Sequence, residues 1–355
     1  MSTTPVAGID IGGTKIAALI VDAAGAVLGR ATRTSSAGDQ DGAAAAIAAC
    51  LDDALAGSGV ARSDLGAIGV GVPGRVDPER GTVTLAVNLG WHDYPLRDAL
   101  EQHLGRPVLV ENDARAAALG LYQRGVLTDG ADLAYLAVGT GIAAGVILAG
   151  RLHRGARGLA GEIGHAIADR DGPLCACGQH GCLEAFASGP AIARLAGAAS
   201  AREVYQRATE GDQGCRDLIE EVGRRLAWAV HLLVMAYDVR RVVIGGGVSH
   251  AGVAFAAPIH AELARLRAAS PSAAELLPAD VVEILPPEGE AGSWGAVAIA
   301  RAAGRSRAAD GTDATATASD DGVAAASAAS AADRARTAGT SITHGATGEE
   351  VVRHG

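Results

Sequence analysis

Aromatic side chains are almost missing from this chain: Phe, Trp and Tyr make up 3% of its 355 residues. Its core must therefore be built from Ala, Val, Leu and Ile, and a hydrophobic content of 49% is enough for one. Basic excess is missing too. The formal net charge is −10, with no block of Lys or Arg, which argues against a non-specific nucleic-acid surface. No apolar run reaches the roughly 18 residues of a membrane-spanning helix. The start, MSTTPVAGIDIGGTK, has no charged segment followed by an apolar one, so it does not read as a secretory signal. The expectation is a soluble cytoplasmic protein of two medium domains or one large one. Cysteine is scarce, five residues in all, yet three of them fall within CACGQHGC, Cys175 to Cys182. In a reducing compartment such a cluster reads as metal ligands or redox groups rather than disulfides.

Glycine is what the chain has in abundance: 49 residues, about twice the usual share. That points to tight turns and to backbone brought close to something. VAGIDI and KIAALIVD read as two strands joined by a GGT hairpin turn, and GAVLGRATR as a third strand. DQDGAAAAIAACLDDALAGSG has the composition of a helix, and LGAIGVGVPGRVD that of a strand running into a Gly/Pro loop. PVLVENDARAAALGLYQRG reads as a short strand, a loop at Glu111-Asn112-Asp113 and an Ala-rich helix. LAYLAVGTGIAAGVILAGRL repeats the opening pattern of strand, glycine turn, strand. This weak internal repeat suggests two domains of similar topology with a cleft between them. EEVGRRLAWAVHLLVMAYD reads as a buried helix, RRVVIGGGVS as a strand ending in glycines, and EAGSWGAVAIARAAG as the last helix able to pack. Beyond Gly304 only small and polar residues follow. Such a segment cannot offset its ordering entropy by burial, and a disordered tail is expected.

In DIGGTK, Asp10 to Lys15, two glycines and a hydroxyl sit at a strand–turn–strand. That arrangement suits an ordinary hairpin, and it equally suits a nest of backbone N–H groups for an anion. Asp10 at the strand end is suited to Mg²⁺ held through water. Gly139-Thr140-Gly141 is a second turn of the same kind, and Gly245-Gly246-Gly247 follows a later strand, where a nucleotide can approach closely. No GxxxxGK[ST] is present, and no GxGxxG heads a helix, so any nucleotide has to bind between hairpin turns.

Asp113 follows directly on PVLVEN, at the C-terminal end of a strand, where ligand sites of α/β sheets gather. It can accept the proton of a hydroxyl attacking phosphorus, or it can be the N-cap of the next helix. Asn112 can cap equally well, which would leave Asp113 free. In the cysteine cluster the spacing is C-x-C-x4-C, with His165 ten residues upstream in GEIGH and His180 inside the loop. Three thiolates and one imidazole make a closed, structural zinc site. The redox alternative prefers C-x-x-C, which is absent, and free thiols that happen to cluster remain the third possibility. Zinc here would fix the loop between Glu162 and Glu184, two carboxylates able to grip hydroxyls.

Taken together, DIGGTK, GVPGRVD, NLGW, VENDARAAALG, VGTGIAAG, GLAGEIGH, CACGQHGCLE and VVIGGGVS resemble the ROK family of sugar kinases and sugar-responsive repressors, from about Val6 to Arg301. The resemblance implies an α/β chain of the actin-like ATPase (ribonuclease H-like) fold, two α/β domains around a cleft. The boundaries expected are 1–120 with 293–303 returning to it, 121–292, and a tail over 304–355. It implies Asp113 as the base that deprotonates a sugar hydroxyl, usually the 6-hydroxyl. Asn112, Glu162, His165 and Glu184 match sugar contacts, and His165, Cys175, Cys177 and Cys182 match zinc ligands, with His180 a bystander. Asp10, Gly12, Gly13, Thr14 and Lys15, with Gly139, Thr140 and Gly141, match the phosphate turns, and Gly245, Gly246 and Gly247 the adenosine side.

Two stretches depart from the family pattern. Ala143 and Ala144 replace glycines, and Leu121 replaces an acidic residue. The repressors carry a helix-turn-helix domain before the first phosphate turn; here that turn begins at Asp10, so none is expected. The function implied is ATP-dependent phosphorylation of glucose, with Mg²⁺ and structural zinc. N-acetylmannosamine or N-acetylglucosamine is the alternative substrate, polyphosphate an alternative donor, and a catalytically silent sugar sensor the alternative of another class. A dimer or tetramer, with no nucleic-acid or membrane partner, completes the expectation.

Overall fold

The hairpin read from VAGIDI and KIAALIVD forms as β1 (Val6–Ile11) and β2 (Lys15–Val21), antiparallel from Val6 opposite Val21 to Ile11 opposite Ile16. The turn is closed by the Gly12 amide donating to the Lys15 carbonyl at 2.8 Å. The computed structural model describes residues 4–35, 38–125, 130–286 and 290–313, with side chains to 302. β3 (Val27–Thr34) runs antiparallel to β2. β4 (Ile68–Val72) runs parallel to β1; all five of its residues are buried, as a central strand covered on both faces requires.

β5 (Arg75–Asp77), β6 (Thr82–Ala86) and β7 (Trp91–Tyr94) form a small antiparallel sheet of their own, and β8 (Val108–Asn112) joins β4 in parallel. The main sheet is ordered β3-β2-β1-β4-β8. β9 (Leu133–Val138), β10 (Ile142–Leu148), β11 (Arg151–His153), β12 (Arg241–Gly245) and β13 (Val282–Ile284) form a second sheet ordered β11-β10-β9-β12-β13. Its pairings repeat the first in kind: two antiparallel, then two parallel. The internal repeat in the sequence is thus a duplicated sheet.

The helices are α1 (Gln40–Ala56), α2 (Leu96–Leu104), α3 (Asp113–Gln123), α4 (Glu184–Ala187), α5 (Gly189–Leu195), α6 (Ala201–Glu210), α7 (Gln213–Tyr237), α8 (Val253–Ala269), α9 (Pro271–Leu276) and α10 (Ala291–Asp313). α10 therefore continues into the segment expected from residue 304 to be a tail; residues 314–355 lie outside the described residues. Every element but the end of α10, beyond Ala309, belongs to one compact unit.

Ile47 and Leu51 of α1 and Leu100 of α2 are buried in one core with Ile9, Val70 and Val110 of the first sheet. Leu226 and Val230 of α7 and Ile259 of α8 share another with Leu136 and Ile244 of the second. A core with few aromatics, among them Trp91, Tyr94, Tyr205 and Phe255, gains contact by letting backbones approach. A Cβ at Gly8 of β1 would stand 2.5 Å from the Val297 amide, and one at Gly69 of β4 would stand 2.8 Å from that of Ala300. α10 therefore lies directly on the first sheet. It crosses α3 at glycines too, since a Cβ at Gly120 would stand 2.6 Å from the Gly295 amide. Among the described residues no helix is long and apolar enough to cross a membrane.

Candidate active site

The parallel strands β1, β4 and β8 put Asp10, Gly71 and Glu111 in register, so the residues at their C-terminal ends meet. Gly71 leaves the space between the acids open. A Cβ there would stand 3.7 Å from Asp10 Oδ1 and 3.6 Å from the Asp113 Cα. Burial, then the charge of Asp113, raises the Asp10 carboxyl to about 7, against the lowering charge of Lys15. The Asp113 carboxyl is raised as well, first by burial and further by Glu162, while the Ala114 amide and Arg115 pull it down. Tyr135 of β9 faces the same place: burial pushes its phenol up, and the charges of Asp113 and Asp10 add to that.

The cap of α3 falls to Asn112, whose Oδ1 accepts from the Arg115 amide at 3.1 Å. A side-chain cap of this type is worth about 1 kcal/mol. Asp113 is thereby released from capping, and as the first helical residue its Oδ1 accepts from the Ala114 amide at 2.8 Å and from Asn112 Nδ2 at 2.9 Å. Both donors hold the carboxylate in place and neither neutralises it.

Asn88, from the NLGW stretch, lies between the two glycine turns. Its Cβ would stand 3.8 Å from a Cβ at Gly13, and its Nδ2 3.8 Å from one at Gly141. Thr14, Lys15 and Thr140 are exposed at these turns. The second turn also adjoins the third glycine stretch, because a Cβ at Gly139 would stand 3.7 Å from the Gly247 amide. Gly246 takes φ 103° beside the Val138 carbonyl, at the end of the strand that Gly245 closes. Glu184 Oε2 accepts from the Ile142 amide at 2.7 Å, which ties the loop containing the cysteines to the second turn.

In that loop the ligand atoms of His165, Cys175, Cys177 and Cys182 all lie within 4.8 Å of one another. Cys177 Sγ and Cys182 Sγ are 3.6 Å apart, and Cys175 Sγ is 3.8 Å from His165 Nδ1. A zinc–sulfur distance of about 2.3 Å makes the edges of the tetrahedron about 3.8 Å, close to both of these separations, so the donor set suits a closed zinc site. His165 turns its other nitrogen, Nε2, toward Glu162 Oε2 at 3.9 Å. His180 stands apart, with its Nδ1 3.1 Å from the Gly172 carbonyl.

Of the two departures from the family pattern, Ala143 and Ala144 sit in regular pairing with Ala137 and Leu136, and neither has positive φ. Leu121 is buried in an apolar cluster with Leu133, Tyr135 and Val243. Asn88, Tyr135, Arg115 and Arg154 join the site without having stood out in the sequence. Asn88 had a signal in its motif. Tyr135 and Arg115 had only a hydroxyl or a charge inside an apolar run, and Arg154 sits in a stretch without a pattern.

The chain matches the ROK family over residues 6–303. It is 35% identical to a glucokinase of Halalkalibacterium halodurans over 275 residues, 71% of this chain and 83% of that protein. It is 38% identical to an N-acetylmannosamine kinase of Escherichia fergusonii over 248 residues, 68% of this chain and 82% of that protein. Its fold superposes with TM-score 0.73 on a ROK family glucokinase of Streptomyces griseus, whose structure was solved in complex with glucose and AMPPNP; the sequences are 34% identical, and the match covers 84% of this chain and 99% of that one.

Proposed function

The chain belongs to the ROK family and has its actin-like ATPase fold, and on that premise we propose that it transfers the γ-phosphoryl group of ATP to the 6-hydroxyl of glucose. One observation carries this reading. The partly buried Asp113 carboxylate stands beside Asp10 at the strand ends, in a chain whose two glycine turns meet at Asn88. A base for a hydroxyl and a cradle for phosphates are thus built into one fold.

In this reading Asn112, Glu162, His165 and Glu184 hold the sugar. As the 6-oxygen forms its bond to the γ-phosphorus, Asp113 takes the hydroxyl proton and the bond to the β–γ bridging oxygen breaks, releasing ADP. The turns at Gly12 to Lys15 and at Gly139 to Gly141 would cradle the transferred charge; the Gly12 and Gly139 amides already close those turns by donating to the Lys15 and Gly141 carbonyls, which leaves Gly13, Thr14 and Thr140 to offer theirs. Of the third glycine stretch, Gly247 borders open space and leaves room for the adenosine side, while Gly245 and Gly246 pack against Tyr135 and the Val138 backbone. Asp10 offers the hard oxygen donor that suits Mg²⁺, which would neutralise phosphate charge. His165, Cys175, Cys177 and Cys182 would hold zinc and fix the loop between Glu162 and Glu184.

The packing of α10 on the first sheet supports lobes of 1–120 with 293–303, and 121–292. A dimer or tetramer is the assembly this reading carries, checked by light scattering. The similarity to an N-acetylmannosamine kinase favours an N-acetylated hexosamine as the second reading. ADP release from Mg-ATP is the test, against glucose, mannose, fructose, N-acetylglucosamine and N-acetylmannosamine. Strong turnover with glucose supports the first reading, and turnover confined to an N-acetylated sugar replaces it with the second. No turnover with any sugar, in folded protein, contradicts both.

A further inference from the structure

Directly behind Asn112 and Asp113 lies a carboxylate that takes no part in the chemistry above. Glu111 is 1% exposed, and each of its oxygens serves a different arginine. Oε1 accepts from Arg115 Nε at 2.8 Å, and Oε2 from Arg154 Nε at 2.7 Å. Oε1 also accepts from the Asn112 amide at 2.9 Å. The Arg115 side chain is 2% exposed and reaches on through Nη1 to the Gly158 carbonyl. A buried guanidinium with both arms engaged is expensive to place and disruptive to remove. Residues 111–115 belong to the turn that presents the base, whereas Arg154 and Gly158 belong to the loop that leads to Glu162. That loop is pinned at its far end as well, where the Ala144 amide donates to the Gly161 carbonyl at 2.7 Å.

We propose that Glu111, Arg115 and Arg154 form a positioning bridge that holds the Glu162 loop in register with Asp113, so that the sugar pocket is ordered before the sugar arrives. The inference rests on the kinase reading for its substrate, but the bridge itself is a property of the chain. None of the three residues touches the reacting atoms. Their effect runs through the loop, so it falls on sugar affinity and spares the nucleotide. Arg115 works as a fork, with one arm on Glu111 and one on Gly158, and Lys cannot supply both. Arg154 makes a single contact with Glu111 from a side chain that is 45% exposed, and Lys can replace it.

The test is steady-state kinetics on Arg154→Gln, Arg154→Lys and Arg115→Lys, with amide hydrogen exchange over residues 155–162 of the full chain without sugar. Arg154→Gln is the anchor variant because its site is at the exposed end of the bridge. It should raise the KM for the accepted sugar by about tenfold, the worth of one charge-assisted hydrogen bond. The KM for ATP should stay within about twofold in this variant, and amides 155–162 should exchange faster. Arg154→Lys should restore the sugar KM, and Arg115→Lys should not. An unchanged sugar KM with unchanged exchange in Arg154→Gln overturns the bridge. So does a rise in both KM values together, which would mark general destabilisation. Wild-type protein that phosphorylates no sugar overturns the kinase reading, and the exchange measurement still decides the bridge.

Discussion

Asp10, near the C-terminal end of β1, and Asp113, the first residue of α3, flank Gly71 of β4, each within 4 Å of where a Gly71 side chain would begin. Burial and the second acid's charge together lift the Asp10 carboxyl from 3.8 to about 7. A folded-state pKa above the unfolded one means that the folded protein holds its proton longer. The stability linked to that proton is complete below about pH 4 and is lost as pH rises through about 7. At about 1.4 kcal/mol per unit, the loss amounts to a few kcal/mol. Asp10→Asn should remove this dependence. Thermal unfolding of the free protein from pH 4 to 8 checks it: the Tm of Asp10→Asn should rise relative to wild type across that range. Parallel curves would show that Asp10 titrates normally.

The cysteine loop should be held by metal. Pure protein should contain one zinc per chain, and stripping it with a chelator, or making Cys182→Ser at a fully buried position, should lower the Tm and raise the sugar KM. Fully active protein without zinc would contradict the assignment.

Close backbone contact between α10 and the first sheet makes Gly8 irreplaceable. Gly8→Ala puts a methyl group 2.5 Å from the Val297 amide, so the helix has to shift. The expected cost is about 1–3 kcal/mol or more, as for other overpacked cores. It is read as a lower urea midpoint at an unchanged slope. A wild-type midpoint would mean that α10 is not seated on β1.

Much of this was legible in the residues. VAGIDI and KIAALIV carry strand patterns on either side of a glycine turn, and the recurrence of that pattern at VGTGI announced the duplicated sheet. Asn112 and Asp113 side by side already allowed one to cap and the other to react. Other features were hidden by length or by distance along the chain. The small sheet escaped because its strands have three, five and four residues, too few to show a period. Gly8 and Gly69 look like ordinary strand glycines until α10 returns from the far end of the chain to cover them. Glu111 and Arg115 are four residues apart, a spacing that signals an ion pair within a helix, but here the strand ends between them. Arg154, their third partner, sits in a stretch with no pattern of its own.

The central claim is that Asp113 is the base for the sugar hydroxyl. Asp113→Asn keeps the shape and removes the proton acceptor, so the measurement is turnover of Mg-ATP and glucose by this variant, with glucose binding followed by calorimetry on the same sample. Glucose binding should stay within about tenfold of wild type, while kcat falls by about 10² to 10⁴, the usual worth of a general base. Wild-type turnover in Asp113→Asn would contradict the account.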